Sequence, residues 1–253
     1  MTYQENILEQ ITEAGEILLL SGAEVSRIED TIKRIAHAYG FVRADVFSIT
    51  STLIVTAYTK EGDIYTISRR VTSHQLDMQR IDAVNRLSRR ICASPLSLED
   101  LVEQIDRIRL MPGCSGIQTF VAYLMVSGAF ALLYHGTIMD CIASAVCSIA
   151  LFFTKRGSEY LKLQSTIQTI VVSTIMCFCA YLMTGLGVAQ HTDIIIISNI
   201  MLLVPGLAFM TSVRDMILGD TITGLLGICE AIIQAFAIAI GCVLILWKIG
   251  GGI

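Results

Sequence analysis

Long apolar segments fill the C-terminal half of this sequence and constrain its fold more than any other feature. Residues 117–253 contain five basic and six acidic side chains, and the whole chain has a mean hydropathy of +0.67. A membrane span needs about 20 mostly apolar residues. The sequence predicts five such spans, near residues 117–134, 138–153, 167–185, 194–213 and 222–247. The predicted fold class is therefore an α-helical multi-pass membrane protein, with a membrane domain over 113–253.

The first 112 residues differ from the rest and predict a small α+β domain. Residues 1–116 hold 13 basic and 16 acidic side chains. Apolar residues at helical spacing and a β-branched stretch alternate along this region. The predicted elements are helices at 3–20, 25–39, 74–92 and 98–110, a strand at 45–58 and a returning strand at 64–68, with a third strand left open.

The fourth predicted span is interrupted by groups that an apolar helix rarely holds. Pro205 and Gly206 stand inside it, and Arg214, Asp215 and Asp220 follow closely. Proline removes a backbone donor and kinks or breaks a helix. Charged side chains at membrane depth cost about 2.5 kcal/mol or more and usually mark a pathway, a relay or a gate. The sequence predicts one broken helix beside a polar site, although Arg214 and Asp215 also fit a simple neutralised pair.

Polar stripes run along several of the predicted spans. In the last span Asp220, Thr223 and Glu230 share one stripe with Gly227 and Gln234. In the second span Asp140 shares a face with Ser144 and Ser148, which are spaced four residues apart. Such stripes can surround a polar cavity, but small residues and hydroxyls also hold membrane helices together. The carboxylates favour a functional interpretation, and the hydroxyl stripes alone favour packing.

A compact motif, SGAEVSRIEDT over 21–31, separates the first two predicted helices. Ser21 and Glu24 have the spacing of a capping box. Together with Gly22 and Arg27 they form a candidate functional motif of the N-terminal domain. The alternative is a capped helix with a solvated face.

Several function classes are disfavoured by the sequence. A net charge of −4 gives no reason to expect a nucleic-acid partner. The eight cysteines form no CxxC pattern, and neither they nor His37 and His74 have metal-ligand spacing, so we expect no metal and no cofactor. A Walker-type loop is absent from the sequence, which disfavours drive by ATP. Lys155, Arg156 and Lys162 lie between the second and third spans and predict a cytoplasmic loop and a cytoplasmic N-terminal domain.

Three long stretches of the chain resemble the threonine/serine exporter family. They are LLLSGAEVSRIEDTIKRIAHAYGF over 18–41, PGCSG over 112–116 and LVPGLAFMTSVRDMILGDTITG over 203–224. The resemblance covers essentially the whole chain and matches the N-terminal half of the full-length members. It implies a bacterial inner-membrane exporter of small polar metabolites, with threonine and serine or a dicarboxylate such as succinate as substrate. It also implies a second, smaller membrane protein that supplies the missing half, and it leaves homo-oligomers open.

The leading hypothesis is thus a subunit of a secondary exporter. Pro205 and Gly206 would open a helix toward the substrate, and Arg214 would guide anions from the cytoplasm. Glu230 and Asp220 would carry protons, since a carboxyl in a low-dielectric site has a raised pKa. One rival is a membrane sensor. The other is an intramembrane aspartyl hydrolase that uses Asp220 with Asp215 or Asp140.

Overall fold

The structure, a computed structural model, describes residues 2–71 and 76–249. The N-terminal part contains four helices and three strands: α1 (Tyr3–Leu20), α2 (Val25–Ala38), β1 (Arg43–Ile49), β2 (Thr52–Tyr58), β3 (Ile64–Arg70), α3 (Met78–Ala93) and α4 (Leu98–Arg109). The apolar part contains six helices: α5 (Gly116–Leu133), α6 (Ile138–Tyr160), α7 (Ser165–Gly185), α8 (Thr192–Ile200), α9 (Gly206–Leu218) and α10 (Thr221–Ile249).

The chain forms two compact units. The N-terminal unit comprises residues 1–113 together with 207–228, and the membrane unit comprises 114–206 together with 229–253. The N-terminal unit therefore includes nearly all of α9 and the first two turns of α10.

The N-terminal unit is built on an antiparallel sheet of three strands in the order β1-β2-β3. Strand β2 alternates buried and half-exposed residues along its length, as a strand with one face on a core should. That core is formed by the apolar stripes of the helices and one face of the sheet, and its fully buried members include Ile7, Ile11, Ile28, Ile32, Leu53 and Ile105. The predicted α+β domain is thus observed.

Two details of the N-terminal prediction are wrong. The stretch predicted as one strand, 45–58, forms two strands that pair with each other, with Val46 opposite Val55. The turn at Thr50 and Ser51 carries neither glycine nor proline, so the sequence offered no turn signal. The helix predicted from His74 begins at Met78, where Asp77 accepts from the amides of Gln79 and Arg80. His74 itself lies outside the described residues.

Within the described residues, four helices are long and apolar enough to cross a membrane: α5, α6, α7 and α10. The predicted count of five spans, one of them broken, therefore differs from this by one, because the broken span is not a single long helix. The segment predicted at 194–213 forms two short helices, α8 and α9, of 9 and 13 residues. Between them the Leu203 amide bonds to the Ile200 carbonyl and the Gly206 amide to the Val204 carbonyl. Pro205 has no amide hydrogen to continue the helix, so the predicted break is confirmed.

Small residues set the packing within the membrane unit. Gly241 on α10 lies directly against the Ser173 hydroxyl and the Ile170 carbonyl of α7, so a β-carbon at position 241 would overlap both. Gln234 binds the same helix, with Thr169 Oγ1 2.7 Å from its Oε1 and Ser165 Oγ 2.9 Å from its Nε2. Such close contacts and interhelical hydrogen bonds are the usual means of association between helices in lipid.

Candidate functional site

The SGAEV motif forms the junction between α1 and α2, and it is not a capping box. Ser21 is the C-terminal cap of α1, and Gly22 follows with φ of +74°. The Gly22 amide bonds to the Leu19 carbonyl and the Ala23 amide to the Leu18 carbonyl, which is the Schellman pattern of a helix end. The predicted Ser21–Glu24 capping box is therefore wrong, because Ser21 caps the end of α1 through its backbone and the N-cap of α2 is Glu24. Glu24 occupies the N-cap of α2 but makes no side-chain cap bond.

Two charged residues of α9 meet this junction inside the N-terminal unit. Arg214 Nη1 lies 2.8 Å from Glu24 Oε1. The neighbouring Asp215 accepts a hydrogen bond from the Val25 amide, the first residue of α2. A carboxylate at the start of a helix is favoured by the free amides and the positive end of the helix dipole. These contacts join two motifs that are almost 200 residues apart in sequence.

A tight helical hairpin holds Arg214 and Asp215 in place. Gly219 has φ of +106°, and the Asp220 amide reaches back to the Asp215 carbonyl at 2.9 Å, which ends α9. A β-carbon on Gly224 would lie 2.5 Å from the Ser212 carbonyl oxygen, and one on Gly227 would overlap the Ser212 hydroxyl. Glycine at these two positions therefore lets α10 start directly against α9.

Asp215 is the buried carboxylate of this junction. Asp215 is 6% exposed, and its Oδ1 has no hydrogen-bond partner among the described residues. The pKa of this carboxyl is raised to about 6: burial is the largest cause, Asp220 and Glu24 also raise it, and the Val25 amide and Arg214 oppose the shift. Asp215 lies outside the four spans. Because its pKa is about 6, Asp215 can gain and lose a proton near neutral pH.

The structure brings most of the predicted site residues of this region together. Ser21 is buried, and its carbonyl accepts from the Asp77 amide. Asp220 directly precedes α10, and Thr223 is buried in the first turn of that helix. Arg27 is exposed on α2. Arg214 pairs with Glu24, so the simple Arg214–Asp215 pair considered from sequence is not the arrangement seen.

Asp140 lies in the membrane unit in a different setting. It is fully buried at the start of α6 and accepts five hydrogen bonds. The Thr137 amide and hydroxyl provide two, and the Gln190 amide, the His191 amide and His191 Nδ1 provide three, at 2.7 to 3.0 Å. Asp140 thus ties the start of α6 to the loop that precedes α8, and its oxygens are occupied.

The remaining predicted residues of the membrane unit are more open. Pro205 is half-buried and Gly206 exposed at the break between α8 and α9. Glu230 is exposed on α10 and forms no ion pair or hydrogen bond with any residue that the structure describes. Its stripe neighbour Gln234 instead binds α7, so the predicted polar stripe does not act as one uniform surface.

Sequence reasoning missed two polar residues in the membrane unit. Asn199 on α8 is fully buried and donates to the Ser144 hydroxyl of α6 at 3.0 Å. His191 holds Asp140 through both its amide and its ring. The Ser-Asn pair inside the run IIIISNIMLLV was a visible signal, because an amide in an apolar helix costs free energy unless it is paired.

The fold and these sites define a class, namely multi-pass membrane proteins with a broken helix and an N-terminal α+β domain. The chain belongs to the family described as "Putative threonine/serine exporter", whose profile matches residues 9–249. This is a family of transporters and not of enzymes, so the aspartyl hydrolase hypothesis is wrong. The full set of hydrogen bonds on Asp140 also leaves it unsuited to activate water.

Two curated relatives show how the chain aligns with longer proteins. A "Probable threonine/serine exporter" of Mycobacterium tuberculosis is 23% identical over 249 residues, which is 94% of this chain and 45% of the relative. A "Threonine/serine exporter" of Corynebacterium glutamicum is 25% identical over 221 residues, which is 83% of this chain and 44% of the relative. The chain thus spans less than half the length of these relatives. No solved structure matches it significantly.

Proposed function

We propose that this chain is one half of a secondary exporter that moves threonine and serine out of a bacterial cytoplasm across the plasma membrane. The observation that carries this proposal is the break between α8 and α9 inside the apolar run. Discontinuous helices of this kind form substrate and ion sites in many transporters. The family supports an exporter of amino acids, and a dicarboxylate such as succinate is the alternative substrate.

The proposed coupling ion is the proton. Glu230 and Asp220 are candidates from sequence, and Asp215 joins them because its pKa of about 6 lies within the range over which a proton can be exchanged. A proton on Asp215 would remove the charge that the Val25 amide binds, and so would loosen α9 from α2. We place the N-terminal domain in the cytoplasm, because Lys155, Arg156 and Lys162 cluster near the end of α6.

A second membrane protein is the proposed partner. The curated relatives are more than twice the matched length, so the chain accounts for one half of such a protein. Helix α10 exposes a long row of large apolar side chains that lipid or another membrane protein can cover: Leu225, Ile232, Ile233, Phe236, Ile240, Val243 and Leu244. Pairing with a second half would cover part of this row and Glu230 with it.

Efflux from cells tests the proposal. Cells that lack other threonine exporters are loaded with labelled threonine, serine or succinate and express the chain, the suspected partner, or both. We expect threonine and serine efflux only when both are present, and loss of that efflux with a protonophore. Faster succinate efflux would identify the dicarboxylate as substrate. If efflux of all three compounds is the same with and without the two proteins, the proposal of transport fails and the sensor hypothesis is favoured.

Variants then locate the coupling group. Asp215→Asn, Asp220→Asn and Glu230→Gln are compared with Asp82→Asn, an exposed acid of α3. Loss of protonophore sensitivity in one of the first three, with the Asp82 variant unchanged, assigns coupling to that residue. If all four behave like the unmodified chain, proton coupling through these acids is excluded.

A further inference from the structure

Asn199 carries a buried acceptor that its surroundings leave unpaired. The residue is fully buried on α8, and its Nδ2 donates to the Ser144 hydroxyl at 3.0 Å, the Ser144 carbonyl at 3.3 Å and the Ile195 carbonyl at 2.9 Å. Three acceptors around one end identify that end as the nitrogen. The oxygen, Oδ1, receives no hydrogen bond from the residues that the structure describes.

The amide belongs to a polar cluster formed by three helices. Ser144 on α6 accepts from Asn199 and donates through its own hydroxyl to the Ser127 carbonyl of α5 at 3.2 Å. Ser127, Ser144 and Asn199 are all fully buried. The hydroxyls of Ser127 and Ser144 and the amide nitrogen of Asn199 all donate already, whereas nothing among the described residues donates to Asn199 Oδ1. The cluster therefore needs a donor from elsewhere.

The chemistry of the cluster selects among donors. A carboxylate brings only acceptors and would be repelled. An ammonium group would bring a charge that no acidic side chain of the cluster can balance, and a buried unbalanced charge is strongly unfavourable. A hydroxyl is neutral and small, and it carries one donor hydrogen. Its single hydrogen pairs with one acceptor, and Asn199 Oδ1 is the acceptor of this cluster that lacks a partner among the described residues.

On the basis of the proposed function, we infer that Asn199 Oδ1 binds the side-chain hydroxyl of the exported amino acid, with Ser144 holding the amide in place. Asn199 lies seven residues after the start of α8, about 10 Å along the helix axis. Helix α8 has nine residues and is followed by the break at 201–205, so it can shift without moving a long helix. Movement of α8 would admit the hydroxyl to a site that is closed in this structure.

This site would make the transporter selective for hydroxyl-bearing substrates. A buried acceptor is left unpaired when the ligand lacks the hydroxyl, which is how binding sites reject such analogues. 2-Aminobutyrate has the amino and carboxyl groups of threonine but no hydroxyl. We expect the chain with its partner to export threonine at least about tenfold faster than 2-aminobutyrate.

Asn199→Leu tests the inference, with Ser198→Ala as the matched control. Ser198 is the adjacent fully buried polar residue, and its hydroxyl is already bound to the Ile194 carbonyl of its own helix. The measured quantity is the ratio of threonine efflux to 2-aminobutyrate efflux. We expect Asn199→Leu to bring that ratio close to one, while Ser198→Ala keeps it. A ratio unchanged by Asn199→Leu, or an equal loss of both substrates in a folded variant, overturns the inference.

A second variant and a second analogue guard against a variant that does not fold and against a wrong choice of donor group. If Asn199→Leu does not give a monodisperse protein, Ser144→Ala takes its place, and an unchanged efflux ratio in that variant also overturns the inference. 3-Hydroxybutyrate has the hydroxyl but no amino group, so it distinguishes these two possible donors to Asn199. If efflux of 3-hydroxybutyrate is independent of Asn199 while efflux of 2-aminobutyrate depends on it, the hydroxyl assignment is wrong.

Binding is measured separately from transport by the shift in unfolding temperature that threonine causes in the purified chain. If threonine raises the unfolding temperature of the unmodified chain and Asn199→Leu abolishes that rise, the site is supported even when efflux is absent. In that case the proposed function fails but the binding site stands. If threonine efflux is observed but does not depend on Asn199, the proposed function stands and the inference about Asn199 fails.

Discussion

Two buried aspartates, one in each unit, show how the surroundings of a carboxylate decide its role. Asp140 in the membrane unit accepts five hydrogen bonds and has no free oxygen. Asp215 in the N-terminal unit accepts from the Val25 amide, and its Oδ1 is unpaired among the described residues. In the sequence, Asp140 stands on a polar stripe that favours a functional role, and Asp215 fits either a polar site or a neutralised pair with Arg214.

The two aspartates differ because a buried carboxylate is stable as an anion only when hydrogen-bond donors surround it. A carboxylate surrounded by donors is stable as an anion and acts as a structural link, because the donors replace the water that burial removed. A carboxylate with few donors is destabilised as an anion and tends to bind a proton. We therefore expect Asp140 to stabilise the fold and Asp215 to respond to pH.

The largest expected effect is loss of stability when Asp140 is removed. Asp140→Ala leaves the Gln190 and His191 amides without their acceptor and breaks the His191 contact, which should cost about 3–5 kcal/mol. Thermal unfolding of the detergent-purified protein measures the change. Asp193→Ala, which removes an exposed acid from the first turn of α8, should cost less than about 1 kcal/mol. An Asp140→Ala protein that unfolds at the unmodified temperature would show that the link is not structural.

The second effect is a change in the pH dependence of stability at Asp215. The folded-state pKa of about 6 is higher than the ordinary value of 3.8, so the folded protein binds the proton more tightly than the unfolded chain. The stability that this group contributes is present below pH 3.8 and is lost as the pH rises through about 6.

Asp215→Asn keeps an acceptor for the Val25 amide and carries no charge at any pH. We expect the variant to match the unmodified chain near pH 4 and to exceed its stability by about 1–3 kcal/mol above pH 7. Unfolding temperatures at a series of pH values measure this, with Asp82→Asn as a control. A constant difference between pH 4 and 8 would contradict a raised pKa at Asp215.

The third effect concerns one of the five donors to Asp140. The His191 side chain is 49% exposed, and its Nδ1 lies 2.9 Å from Asp140 Oδ2. His191→Ala removes this bond but keeps both loop amides on the carboxylate, so we expect a cost of about 1 kcal/mol, measured as a fall in unfolding temperature. A loss as large as that of Asp140→Ala would assign the stability to the imidazole rather than to the complete donor set.

Local sequence signals predicted the elements well. The apolar stripe of α1 and the break at Pro205 depend on neighbouring residues, and both are confirmed. The split of the predicted 45–58 strand was missed because its turn has no characteristic residue. Hydropathy found the apolar segments, but it cannot distinguish one long helix from two short ones.

The candidate sites depend on contacts between distant residues, which periodicity cannot reveal. Nothing near Asp215 in sequence indicates that it meets the Val25 amide, and nothing near Asn199 indicates that Ser144 lies beside it. Spacing also does not distinguish two members of the α10 stripe: Gln234 has partners on α7, whereas Glu230 has none among the described residues. Which polar residues are paired is decided by packing and not by spacing.

The smallest expected effect comes from the Glu24–Arg214 ion pair beside Asp215. Arg214 is 61% exposed and Glu24 17%, so a double-mutant cycle with Glu24→Gln and Arg214→Gln should give a coupling of about 0.2–1 kcal/mol. The same variants act on Asp215 in opposite directions. Glu24 raises the Asp215 pKa and Arg214 lowers it, so the pH midpoint of the stability change should fall in Glu24→Gln and rise in Arg214→Gln. Shifts in the same direction in both variants would mean that the midpoint belongs to another group, and the contrast between Asp140 and Asp215 would then lose its basis.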